Sequence, residues 1–147
     1  MTFFVVHFSK LTAKQLYAIL KLRQEVFVVE QQCWYLDCDD KDQQAFHVLG
    51  MKAESLVAYA RILPPALAYE EPSIGRVIVA RTERNTGLGK VLMRYCIEQV
   101  YSRYGRQTIR IAAQCQHETF YRQLGFQSVE EKYDMDGIPH QDMNLHV

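Results

Sequence analysis

The segment VARTERNTGLGKVLM, Val79 to Met93, joins the end of a β-branched run to the start of an amphipathic helical pattern, with Gly87 and Gly89 set between Arg84 and Lys90. Glycine lets another molecule approach the backbone closely, and the first turn of a helix leaves N–H groups unpaired that attract anions. A phosphate-bearing ligand is therefore the first expectation. A Walker A loop would need glycine at Arg84 and Ser or Thr at Val91. A dinucleotide fingerprint would need a third glycine at Leu92 and should open the first β-α unit of the chain. Neither pattern fits.

Reading outward, SIGRVIVA (Ser73–Ala80) is a strand, and Leu88, Val91, Leu92, Tyr95, Cys96 and Val100 trace one face of a helix that Gly105 can close. Upstream, TFFVVHF (Thr2–Phe8) is a strand. Thr12 and Gln15 form a capping box for a helix that runs into EVFVVEQQ before the acidic loop CWYLDCDDKD. FHVLGMKA and SLVAYARIL pair around a turn near Glu54, and Pro64-Pro65 ends the second of them. Downstream come the strand TIRIAAQ, a short helix HETFYRQL closed by Gly125, and strands near QSVEEKYDM and HQDMNLHV. The order β-α-β-β-β-α-β-α-β-β predicts an α/β fold with a mixed sheet, in one domain over residues 1–147.

The chain carries 17 basic and 17 acidic side chains, so it lacks the broad positive field that nucleic-acid or anionic-membrane binding needs, and neither partner is expected. Its N-terminal residues lack a secretory pattern and no apolar run is long enough to span a bilayer. A cytoplasmic protein is expected, with Cys33, Cys38, Cys96 and Cys115 as reduced thiols. Cys33-x4-Cys38 with His47 lacks a second close pair to complete a four-ligand set, so no metal is expected.

The pattern Arg84-x-x-Gly87-x-Gly89 on a strand–loop–helix, followed by FYRQLGF (Phe120–Phe126), resembles the GNAT family of acetyl-coenzyme A-dependent N-acetyltransferases. LRQEVFVVEQQCWY, AYARILPP, IGRVIVA, AAQ before FYRQLGF, and DGIPHQDM narrow this to its ElaA-like subgroup, from about Leu22 to Met143. Asn85 departs from the pattern, because many GNAT loops have glycine there. The resemblance implies a mostly antiparallel sheet of about six to seven strands flanked by helices, with strands splayed where acetyl-CoA binds. It implies that Arg84, Asn85, Thr86, Gly87, Leu88, Gly89 and Lys90 hold the pyrophosphate, and that backbone groups of Val77, Ile78 and Val79 pair with the pantetheine.

Acetyl transfer to an amine needs a neutral nucleophile and a proton for the departing thiolate. Tyr121 matches the family's general acid. For the base, Glu30, Asp39, Asp42, His47 and His140 lie in the segments that carry the resemblance, and spacing does not choose among them. The acidic loop between Gln31 and Asp42 suggests a small cationic amine or a peptide amine as acceptor. A homodimer is compatible with all of this. The alternative function is a non-catalytic acetyl-CoA or CoA sensor.

Overall fold

The computed structural model describes residues 1–147. In chain order its elements are β1 (Thr2–His7), α1 (Ala13–Arg23), β2 (Phe46–Lys52), β3 (Ser55–Leu63), β4 (Ser73–Val79), α2 (Leu88–Tyr104), β5 (Ile109–Gln114), α3 (Glu118–Gln123), β6 (Gln127–Ser128), β7 (Tyr133–Met135) and β8 (Ile138–Leu145). The expected order holds with one difference. QSVEEKYDM forms two short strands, because Glu130, Glu131 and Lys132 are exposed charges with no apolar face to bury, and they leave the ladder between β6 and β7.

The strands form two antiparallel sheets, β1-β2-β3-β4 and β5-β8-β6, with β7 also paired to β8. The start of β4 is tied to the start of β5 by the Arg110 N–H, which donates to the Pro72 carbonyl at 3.1 Å. No ladder joins the two strands beyond that point. A wedge therefore opens between them toward their far ends, at Val79 and Gln114.

Helix α1 starts where the capping box placed it. The Thr12 side chain accepts from the Gln15 N–H at 3.1 Å, and the Gln15 side chain accepts from the Thr12 N–H at 2.9 Å. Beyond Arg23 the chain continues as a π-helical segment, Gln24–Glu30. Bonds from Gln31 N–H to the Val26 carbonyl (3.1 Å) and from Cys33 N–H to the Val28 carbonyl (3.0 Å) widen its last turns. Such widened turns recur at functional sites, and this one leads into the acidic loop.

Helices cover both faces of the sheets. On one side Leu92, Met93, Cys96 and Val100 of α2 pack with Val48, Ala60 and Ile62 of the first sheet and with Ile109, Ile111 and Met143 of the second. On the other, Ile19 and Leu22 of α1 pack on Leu49, Tyr59 and Ile78. Each large apolar side chain buried this way stabilises the fold by about 1.5–3 kcal/mol. Because α2 bridges both sheets, the wedge opens without the sheets separating. No helix is long and apolar enough to cross a membrane.

Candidate active site

The loop after β4 ends at the wedge. Asn85 has φ 63° and Gly87 φ 82°, two left-handed residues that turn the chain into α2. Asparagine tolerates this conformation, so the departure at Asn85 leaves the turn intact. The Thr86 hydroxyl donates to the Glu83 carbonyl at 2.7 Å and pins the turn. The first backbone bond of α2 runs from Val91 N–H to the Gly87 carbonyl, and the N–H groups of Asn85, Thr86, Gly87, Leu88, Gly89 and Lys90 have no acceptor within the protein. Consecutive unpaired N–H groups at a helix start, joined by its dipole, form an anion cradle.

The two glycines do different work. A Cβ on Gly87 would meet nothing within 4 Å, so glycine is required there for its dihedrals. A Cβ on Gly89 would lie 3.3 Å from Phe120 Cε1, so here the missing side chain makes room for the Phe120 ring. The expectation that both glycines serve ligand access is thus corrected at Gly89, whose contact docks α3 against the start of α2.

Arg84 does not reach out over the loop. Its Nε donates to the Val79 carbonyl at 3.0 Å, and its Nη1 and Nη2 grip Glu30 at 2.8 and 3.1 Å. Arg81 adds a contact to Glu30 at 3.3 Å. Hydrogen bonding from Arg84 lowers the Glu30 pKa, against a smaller opposing effect of burial. Glu30 is therefore a poor proton acceptor and a good fastener between the π-helical segment and the loop.

On β4, Arg76 adopts φ 51° inside a bulge against Tyr59–Arg61. Past the bulge Ile78 faces Tyr59, and the Ala80 N–H bonds to the Val57 carbonyl at 2.8 Å. Successive strand residues turn their backbone groups to opposite edges. Ile78 therefore spends its N–H and C=O on β3, while Val77 and Val79 turn theirs to the wedge. This narrows the expected trio of backbone contacts to Val77 and Val79.

Tyr121, on α3, packs edge-on against Phe120 and Phe126 at centroid distances of 5.0 and 5.9 Å. Its hydroxyl bonds to no protein atom and is not sealed from solvent. Burial pushes its pKa up to about 12, so the phenol keeps its proton at neutral pH.

Besides Glu30, three more of the five base candidates are engaged elsewhere. His47 is wholly buried, with Nδ1 against the Tyr59 hydroxyl at 2.6 Å and Nε2 against the Asp42 carbonyl at 3.0 Å. Burial lowers its pKa, and neither nitrogen is open to an entering amine. This corrects its placement among the proton acceptors. Asp42 accepts from Arg23 at 2.7 Å and from Arg61 at 3.0 Å, and Asp39 takes both Arg61 Nη atoms at 2.7 and 2.8 Å. Desolvation raises both carboxyls, but hydrogen bonds and charge from the guanidiniums outweigh it and hold them well below the usual range.

Asp37 joins the same network through Arg23 (2.6 Å) and Arg76 (2.8 Å). Of the acidic loop's carboxylates only Asp40 lacks a basic partner, so the loop is a neutralised brace, and the expected pull on cationic acceptors loses its basis.

The mouth of the wedge opens on a cleft of about 380 Å³ lined by Gln31, Cys115, Gln116, Gly137, Ile138 and Pro139. Gln114, at the end of β5, bonds to two of these lining residues, pairing amides with Gln31 at 3.4–3.5 Å and accepting from Gln116 at 2.6 Å. The Cys33 thiol donates to the Asp136 carbonyl at 3.0 Å and closes one side.

Residues 8–147 match the acetyltransferase (GNAT) domain family. The chain belongs to the GNAT family. Within it the chain is similar to protein ElaA of Escherichia coli, 43% identical over 144 residues that cover 97% of this chain and 94% of that one. A UPF0039 protein of Synechocystis is 40% identical, covering 95% and 92%. The crystal structure of E. coli ElaA superposes with a TM-score of 0.91 at 41% identity, covering 97% of each chain. An acyl-CoA N-acyltransferase from Pseudomonas aeruginosa does so at 0.93 with 35% identity and the same coverage.

In this GNAT chain the glycine-containing turn into α2 was legible in the sequence, and the cleft was not. Gln31 and Gln114 lie 83 residues apart and meet only through the fold. Arg23, Arg61 and Arg76 had a signal that went unread: each interrupts an apolar helix face or strand, which calls for a buried counter-charge.

Proposed function

We propose that the chain transfers an acetyl group from acetyl-CoA to an amine bound in the cleft of Gln31, Gln114 and Gln116. The observation that carries this reading is the row of unpaired N–H groups from Asn85 to Lys90 standing at the open end of the wedge. A pyrophosphate accepting several of them gains charge-assisted hydrogen bonds of about 1.5–3 kcal/mol each. Val77, together with the N–H of Val79, offers backbone groups along the wedge for an added strand, while the Val79 carbonyl is held by Arg84. These features fit acetyl-CoA without needing any side-chain cation, and Lys90 contributes charge at the rim.

Tyr121 donates its phenolic proton to the departing thiolate. Its partnerless hydroxyl and raised pKa suit a neutral acid. The acceptor is a small amine or a peptide amine recognised by carboxamides. Arg84 and Glu30 hold the loop against β4 and touch neither reacting atom.

The test is thiol release from acetyl-CoA with a panel of amines, against a control without amine. Amine-dependent release is expected. Stabilisation by acetyl-CoA with no amine-dependent release would favour a CoA sensor instead.

A further inference from the structure

His140 of β8 stands opposite Gln114 of β5. Residues directly opposite on antiparallel strands share a face, so His140 lies on the face where Gln114 meets Gln31 and Gln116 at the acceptor cleft. Neighbouring strands are about 4.8 Å apart, which puts His140 one strand in from the wedge.

Its Nδ1 lies 2.8 Å from the Ile138 carbonyl. A carbonyl only accepts, so Nδ1 carries the hydrogen and Nε2 carries the lone pair. Nε2 bonds to no protein atom and, although the residue is only 8% exposed, is not sealed from solvent. The Tyr133 ring stacks on the imidazole at 6.1 Å and fixes its plane.

The groups facing His140 leave it free. Tyr133, from β7, gives its hydroxyl to Asp142. Asp142, two residues along β8, is also bound by Tyr69 and Arg110. From β5 the neighbour is the uncharged Gln114, and the Asp134 carboxylate beyond Tyr133 accepts the Gly137 N–H.

We infer that His140 is the general base for the acceptor amine, acting directly or through one water, an assignment that rests on the acetyl-transfer reading above. Nε2 takes one proton from the bound ammonium. The freed nitrogen lone pair forms the C–N bond to the thioester carbonyl carbon, and the C–S bond breaks. Tyr121 gives its proton to the thiolate sulfur and regains one from the amide-forming nitrogen. The proton on His140 leaves to solvent, so one amide, one thiol and one proton result from each ammonium and thioester.

The experiment uses alkyl monoamines and a peptide with a free N-terminus as basic acceptors, and aniline as an acceptor already neutral at pH 7. His140→Asn keeps an amide donor near the Nδ1 position for the Ile138 carbonyl and removes Nε2; His140→Gln serves if Asn fails to fold. The variant should bind acetyl-CoA normally, judged by its melting shift, and lose about 10²-fold in kcat with the alkyl amines at pH 7. The loss should shrink as pH rises toward the amine's own pKa, and be smaller for aniline. Activity within twofold of wild type, or a loss equal for all amines at every pH, would overturn the assignment. So would a ring ¹⁵N spectrum of the wild type showing His140 with its hydrogen on Nε2. Failure of the wild type to release thiol with any amine, while acetyl-CoA still stabilises it, would overturn the acetyl-transfer reading and the base together.

Discussion

Arg84 clasps Glu30 through both Nη atoms, at 2.8 and 3.1 Å, while its Nε holds the Val79 carbonyl at 3.0 Å. One side chain thus ties the π-helical segment, the end of β4 and the cradle loop into a single unit. The family resemblance implies instead that Arg84 holds the pyrophosphate. Here it is the post that sets the cradle's position.

Glu30→Gln should therefore weaken acetyl-CoA binding without abolishing it. Arg84 would keep Val79 but lose the charged half of its grip, and exposed ion pairs of this kind contribute roughly 0.2–1 kcal/mol. A several-fold rise in the acetyl-CoA Kd, with melting temperature nearly unchanged in the free protein, is expected by calorimetry. A Glu30→Gln enzyme that binds acetyl-CoA normally but has lost turnover would instead make Glu30 a proton carrier.

The two glycines should fail differently. Gly87→Val meets no obstacle, but a β-branched residue at φ 82° carries strain of order 1–3 kcal/mol that the free loop can release by changing shape. Acetyl-CoA should no longer raise its melting temperature. Gly89→Ala presses a methyl against Phe120, so it should lower stability and disturb Tyr121 on the same helix, reducing kcat as well. Lys90→Ala should weaken binding only modestly.

Tyr121→Phe retains the aromatic packing and removes the proposed proton donor. The loss should fall in kcat, near the lower end of the roughly 10²–10⁴-fold range for general acids, because a thiolate leaves readily. With the phenol pushed up to about 12, wild-type activity should show no alkaline decline from this group below that region. A fall in activity between pH 9 and 10 that vanishes in the Phe variant would contradict the placement of the hydroxyl in a desolvated site.

Asp42→Asn leaves Arg23 and Arg61 short of a buried counter-charge and should destabilise the fold by about 3–5 kcal/mol in urea titration. The acid side follows from the pKa directions. Asp39 and Asp42 are depressed in the folded state, so their stabilisation is present above the ordinary carboxylate pKa of about 4 and is lost as pH falls below it. His47 is also depressed, so the unfolded chain gains its proton first, and stability begins to decline below about pH 6.5.

With the acidic loop neutralised internally, acceptor KM should change little with ionic strength. A KM that climbs steeply between roughly 50 and 300 mM salt, where the screening length shortens toward 6 Å, would restore charge steering to the acceptor end.

Local chemistry determined what could be read from the chain. The capping box at Thr12, the apolar runs of β2 and β3, the left-handed turn at Asn85 and Gly87, and the unpaired N–H groups behind it all arise among residues a few positions apart. Their physics is complete in a short window of sequence. Only the folded chain decided the partners of side chains distant in sequence. It set Arg84 on Glu30 across 54 residues, gave Arg61 to Asp39 and Asp42, sealed His47 under Tyr59, and left His140 with one nitrogen free. A carboxylate or imidazole looks the same in sequence whether it is a base, a brace or a core residue. Which it becomes depends on desolvation and on the charges that packing brings within hydrogen-bond reach, and those are properties of the assembled sheets rather than of any segment.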